Sequence, residues 1–531
     1  MRRRARPSAT VVALLAAVAG GWLTNLAFPD RGWWPLAYLG VALLLLALRG
    51  ARPSRAALTG LLWGLAFFLP HVYWSVNATG SLLPWAALSL SQALYVAGFA
   101  VLWTVARRAP WARDHPVVQA LLAAVLWVGV EQLRGSWPFG GFPWGVLAFS
   151  QTDAPALRLA AWGGEVLVSA VVVLVAALLA QAWVWARRRS TAAAVPAAGV
   201  AVALSLGPWL LPVGTAAEAG TLRIGAVQGN VPEQGAHWAE QARAVTANHA
   251  RGTEELVESV GRGALDLVLW PESAADIDPR TDAGQAAIVT QAVETAGAPV
   301  LLGVQRFPSD EDVRYNEIVL WQQGEGPTDS YTKQHPVPFG EYVPYRDFFR
   351  QITPLVDLIG TDMAAGTGPA LTSVPVERLG REVDVALGIC FEVAYADLVR
   401  EGVQGGGELI VVPTNNASFG MSQESTQQLA MSRFRAAEHG RATVQISTVG
   451  VSGIVLPDGS VEQRTGLFTA EQMAADLPLR TSLTPATRLG VAPKVAVWVL
   501  GGAAVAAALV GRRASSTGRA PEAVAPAPAE R

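Results

Sequence analysis

Apolar runs about as long as a bilayer requires crowd the first 212 residues of this chain and return once near its end. A hydrocarbon core needs roughly 20 consecutive apolar residues per helix. Runs of that kind lie near 9–28, 33–49, 56–75, 84–106, 117–134, 164–186, 192–212 and 491–511. Hydrophobic residues make up 51% of the sequence and charged residues 15%, against roughly 25% charged in a soluble domain. The expectation is an integral membrane protein of about eight spans. The start, MRRRARPSATVVALLAAVAGGWL, has the charged head and apolar stretch of a signal peptide. Further apolar segments follow at once, so a first span is the better reading.

The connections carry a second signal. Lys and Arg beside span ends mark the cytoplasmic side. With RRRAR inside, RGARPSR (49–55), RRAPWARDH (107–115), RRRS (187–190) and the GRRASS after the last span all fall on that side. SVNATGS (75–81) and the stretch 135–163, whose one basic residue is Arg158, fall on the other. Both termini are then cytoplasmic. The division is a membrane domain over 1–212, an outward-facing domain over 213–490, an eighth span over 491–511 and a tail over 512–531. Rich in Ala, Pro and Glu, the tail is expected to be disordered. Many of the 19 Trp residues stand near span ends, as in an interfacial belt. The external GSWPFGGFPWGVLAFSQ (135–151) reads as a loop lining a lipid entry path or as a plain anchor. Glu131 and Arg134, one turn apart at the end of the fifth span, are candidates for an ion pair.

From Thr221 the pattern changes. TLRIGAVQ, DLVLW, PVLLGVQ, NEIVLWQ, VDVALGI, ELIVVPT and ATVQIST are short apolar runs separated by polar stretches of helical spacing near 238–262, 282–297 and 424–438. Apolar strands alternating with helices indicate sheets covered by helices, an α/β class.

Net charge is −2 and no Lys/Arg stripe is interleaved with aromatics, so nothing points to nucleic acid. The sole cysteine, Cys390, excludes an internal disulfide and a multi-cysteine metal site. Three polar residues end apolar strands or sit in the loops after them: Glu272 in WPES, Lys333 in YTKQHPVPFGEYVP and Cys390 in GICFE. A thiol becomes a strong nucleophile on deprotonation. A carboxylate at Glu272 can take that proton as general base, and an ammonium at Lys333 can stabilise the oxyanion that attack creates. The product, a thioester on Cys390, keeps its acyl group reactive toward a second nucleophile.

Those three segments together resemble the nitrilase superfamily, whose domain is an α-β-β-α sandwich with a Glu-Lys-Cys triad. Joined to seven spans before and one after, the chain is similar to the bacterial apolipoprotein N-acyltransferases over nearly its whole length. The resemblance assigns the triad roles to Glu272, Lys333 and Cys390. Glu341 matches a second glutamate that orients Lys333 or the nucleophile, and Glu392 matches the acidic residue two after the cysteine. Phe391 stands where the family usually has Tyr. Trp238 matches a tryptophan near the acyl site, and Asn316 and Asn415 are further candidates to line it. The implied reaction moves an acyl chain, from the sn-1 position of a phospholipid, through Cys390 to the α-amino group of the diacylglyceryl-cysteine of an apolipoprotein. No cofactor or metal is implied. The resemblance also implies a monomer in the bacterial cytoplasmic membrane, with membrane lipids as its other partners. Loops over 336–368, with the apolar FFRQITPLVDLIG (348–360), are expected to cover the site and touch lipid, the alternative for that segment being a core helix. The competing functional readings are a membrane-anchored amidase releasing its product to water and a non-enzymatic scaffold or transporter.

Overall fold

The computed structural model describes residues 8–232 and 238–517, from 512 onward by backbone alone. Helices occupy all eight apolar segments: Ala9–Leu26, Pro35–Ala47, Pro53–His71, Leu82–Ala106, Pro116–Arg134, Ala160–Arg187, Thr191–Leu206 and Ala492–Thr517. Pro opens three of them at a position whose N–H would have no partner in any case. Among the described residues, six stretches of helix are long and apolar enough to cross a membrane. The second helix has 13 residues, roughly 20 Å at 1.5 Å per residue, and is shorter than the expected 33–49. It is sheathed by its neighbours instead, with Val41 and Leu44 wholly buried. Close packing rests on small residues: a Cβ at Gly21 would stand 2.1 Å from the Trp63 carbonyl oxygen, and one at Gly60 2.6 Å from that of Val96. The last helix runs on through Thr517, into the segment expected to be a disordered tail. The remainder of that tail, 518–531, lies outside the described residues.

Glu131 and Arg134 do not pair with each other. Arg134 donates to Gln92 Oε1 (3.0 Å) and to the Phe142 and Trp144 carbonyls (2.8 and 2.7 Å), while Glu131 Oε1 accepts from Trp127 Nε1 and from the Leu147 N–H. Both therefore pin the 135–151 loop to the bundle. Within that loop Trp144, Leu147 and Phe149 are each 1% exposed, while Trp137 is 63% exposed.

Among the described residues, the domain between the seventh and eighth helices has twelve strands: β1 Thr221–Gln228, β2 Leu267–Leu269, β3 Val300–Arg306, β4 Tyr315–Gln322, β5 Gly326–Thr332, β6 Leu371–Val376, β7 Arg381–Leu387, β8 Leu409–Thr414, β9 Thr443–Ser447, β10 Gly453–Val455, β11 Val461–Arg464 and β12 Glu471–Pro478. They form two six-stranded sheets, ordered β12-β1-β2-β3-β4-β5 and β11-β10-β9-β8-β7-β6. In each, three central strands run parallel and the flanking ones antiparallel. Period-two alternation explains the layering. Leu267 and Leu269 face the core between the sheets, which also holds Leu387, Val411 and Val444, while Val268 faces the outer helices Trp238–Val260 and Ala283–Ala296. This is the α-β-β-α sandwich of the expected fold class, joined to a multi-span helical domain.

The second sheet's helix Glu424–His439 has both faces occupied. Met431, Phe434 and Ala437 belong to one apolar cluster with Phe149 and the spans. Arg435, wholly buried, bonds to Glu165 of the sixth span (2.9 Å), to Glu438 (2.5 Å) and to the Val393 and Ala394 carbonyls (3.0 and 2.8 Å).

Candidate active site

Central strands of both sheets and the edge strand β5 end on the same region, where side chains beyond the strand termini converge. Glu272 follows β2, Lys333 follows β5, Cys390 follows β7 and Asn415 follows β8. Ligand sites in α/β proteins gather at the carboxyl ends of parallel strands.

Lys333 is fully buried. Its backbone N–H donates to the Asn316 carbonyl (2.9 Å), and its Nζ lies 2.6 Å from Glu341 Oε1 and 3.4 Å from Glu272 Oε1. Asn316 Nδ2 donates to Glu272 Oε1 (2.6 Å) and the Asn415 backbone N–H donates to Glu272 Oε2 (2.7 Å). Asn415 thus acts through its backbone, and its side chain accepts from the Ala417 N–H instead. The other oxygen of Glu341 accepts from the Val337 N–H (2.7 Å), which fixes the carboxylate that holds the ammonium.

Cys390 is part-exposed and has φ +56°, a left-handed conformation that costs a non-glycine residue of order 1–3 kcal/mol and clusters at functional sites. Burial of its sulfur, then the charge of Glu272, pushes the thiol up, with Lys333 pulling it down. The sulfur is therefore a thiol at rest and needs a base to become a nucleophile. Burial works to lower the Lys333 ammonium, but Glu341, Glu272 and Cys390 outweigh it, so the group sits above the ordinary lysine range and stays charged.

Glu392 spans the two catalytic segments. It accepts from the Ile389 N–H (2.8 Å) on the cysteine turn and from the Gln334 and His335 N–H groups (2.7 and 2.9 Å) beside Lys333, with Tyr331 Oη near 3.0 Å. Phe391 is 5% exposed. Its ring stacks on Trp144 (5.7 Å, 3°) and Phe142 (5.7 Å, 25°) of the 135–151 loop. A hydroxyl there would need a polar partner, and phenylalanine suits the apolar seat. Trp238, the first residue of its helix, is 61% exposed and lines a cavity whose walls include Ser273 and Gly340, the neighbours of Glu272 and Glu341.

Several contributors carry no motif. Thr414, at the end of β8, donates to Gln428 Oε1 (3.0 Å) and lowers the Cys390 thiol against its burial. Glu424, buried and held by Asn416 Nδ2 at 2.7 Å, is pushed up to about 8 by burial, against that hydrogen bond and helped by Glu272. Arg314 precedes Asn316 by two positions; that spacing on a strand, which places both on one face, was the available signal.

Residues 20–178 match the family model described as apolipoprotein N-acyltransferase N-terminal domain, and 223–483 match carbon-nitrogen hydrolase. An apolipoprotein N-acyltransferase of Mycolicibacterium smegmatis is 37% identical, with 93% of this chain and 84% of that one aligned. One from Azotobacter vinelandii is 34% identical over 92% of this chain and 93% of its own length. Among solved structures, an amidase of the nitrilase superfamily from Nesterenkonia AN1 is similar at 17% identity, covering 54% of this chain and all of that one at a TM-score of 0.38.

Proposed function

The chain belongs to the apolipoprotein N-acyltransferase family, and from that premise we propose that it transfers an acyl chain from a phospholipid to the N-terminal amine of a diacylated lipoprotein, through a thioester on Cys390. The observation that carries this reading is the meeting of Glu272, Lys333 and Glu341 in one buried cluster, electrostatically coupled to the only thiol.

In the first half-reaction Glu272 takes the Cys390 proton as sulfur attacks the carbonyl carbon of an acyl ester, that of the sn-1 position. Lys333, held by Glu341, faces the oxyanion. Collapse breaks the ester C–O bond, and Glu272 returns the proton to the departing lysophospholipid alkoxide. In the second, the α-amino group of the diacylglyceryl-cysteine attacks the thioester. Its proton passes to Glu272, the C–S bond breaks, and the thiolate recovers the proton. The amide formed is more stable than the thioester, which drives the sequence forward. The stacking of Phe391 on a loop of the helical domain supports a lipid donor, because it seats the nucleophile's neighbour against the bundle. The distribution of Arg residues supports a bacterial cytoplasmic membrane location with both termini inside and the sandwich on the outer face. The protein acts as a monomer and needs no cofactor for these steps.

The test uses purified full-length protein with phospholipid labelled in its acyl chains. Mass spectrometry should find the label on Cys390, lost on hydroxylamine treatment and on addition of a diacylated peptide, which gains an amide-linked chain. Label released only as free fatty acid, or ammonia released from an amide substrate in preference, would instead identify a hydrolase.

A further inference from the structure

A cavity of about 380 Å³, within the range of small-ligand pockets, opens beside the base. Ser273, next to Glu272, and Gly340, next to Glu341, are among its walls, with Leu358–Thr361 closing another side and Trp238 at its rim. Its polar groups form a chain. Gln305 Nε2 donates to Ser273 Oγ (3.2 Å), and Arg314 donates through Nη1 to Gln305 Oε1 (3.0 Å) and through Nε to the Thr361 carbonyl (3.1 Å). The Arg314 guanidinium forms no ion pair, and its second terminal nitrogen has no hydrogen-bond partner, among the described residues. Among the described residues, twelve other arginines in this domain hold a carboxylate, Arg280, Arg306 and Arg346 among them.

We propose that this cavity receives the phosphodiester of the lipid donor, with Arg314 as the cation that pairs with it. The proposal rests on the acyl-transfer reading above and adds the place where the polar end of that substrate sits. A planar guanidinium already fixed through two of its nitrogens presents the third in a set direction, which suits a phosphate oxygen. The cavity also carries the Asp276 carboxyl. An anion there repels a doubly charged phosphomonoester more than a singly charged phosphodiester, so the latter is the ligand class that fits. The apolar rim of Trp238, Phe307 and Leu358 suits the glycerol backbone that leads from headgroup to acyl chain.

The experiment compares two donors with the same acyl chains, phosphatidylglycerol and uncharged diacylglycerol, on full-length wild type and on Arg314→Ala and Arg314→Lys. The readout is the rate of Cys390 acylation. For Arg314→Ala the preference for the phospholipid over diacylglycerol should fall about tenfold or more, through KM, and Arg314→Lys should recover part of it. Excess inorganic phosphate should leave the wild-type preference in place. Equal losses on both donors overturn the assignment, since they mark Arg314 as a brace for the 361 loop. Abolition of the preference by inorganic phosphate overturns it too, in favour of a free-anion site. Wild type that takes no chain from either donor sinks the acyl-transfer reading itself. Wild type that does, with an unchanged preference in Arg314→Ala, sinks only the cavity's role.

Discussion

Glu424 is a carboxyl shut in beside the thiol, with Asn416 as its hydrogen-bond donor and the Glu272 charge nearby. Burial raises it to about 8 from an ordinary 4.5. Between those values the folded protein binds a proton that the unfolded chain does not, so this group's contribution to stability falls as pH rises through the window. Glu424→Gln removes the slope. Its unfolding midpoint relative to wild type should be about 2–5 °C higher at pH 8.5 than at pH 5, checked by thermal scans of the detergent-solubilised protein at both. An equal difference at the two pH values would show that the carboxyl is not buried as a neutral group. Glu272 and Cys390 were legible because each ends an apolar run, and Lys333 because it lies in a Pro- and Gly-rich motif. Glu424, Arg314 and Asp276 were not, because their meaning depends on what burial and neighbouring strands place beside them. The ion pair expected of Glu131 and Arg134 does not form, because one helical turn brings the residues near while both side chains turn to a loop.

Among the elements, the segment after Glu341 departs from the core-helix alternative. It breaks into two short turns, Arg346–Arg350 and Pro354–Leu358, and leaves Phe348 58% and Ile352 63% exposed. Tyr345 and Phe339 at its base meet Phe139 of the 135–151 loop at 6.0 and 5.9 Å. Exposed apolar side chains in a group mark an interaction surface, and the expected partner here is a lipid acyl chain. Phe348→Ser with Ile352→Ser should lower turnover of phospholipid in vesicles at least about tenfold more than turnover of a soluble ester, measured side by side; equal losses would assign the segment to packing alone. Strands read most clearly where both faces are apolar, as in β3 and β8. The polar edge strands β5 and β11, GPTDSYT and VEQR, gave no periodic signal, since an edge beside solvent has little need of one.

For the molecule as a whole, the proposed orientation rests on the distribution of arginines, an argument independent of the site. Cys390 is the only cysteine, so Cys390→Ala gives a thiol-free background. In it, Ala78→Cys, between the third and fourth long helices, should react with a membrane-impermeant maleimide on intact spheroplasts. Ser190→Cys, between the sixth and seventh, should react only after lysis. Both positions are exposed, and the opposite pattern would turn the sandwich toward the cytosol.

The bond between Arg435 and Glu165 joins a residue of the sandwich to one in a span, and the same guanidinium grips the carbonyls three and four positions past the nucleophile. Cut away from its anchor, the sandwich would lose one of that guanidinium's carboxylate partners, at several kcal/mol, and would bare Phe391 and Phe434 to water. Release as a free-standing enzyme would therefore require that face to be rebuilt first: the turn that carries the nucleophile leans on the helical half.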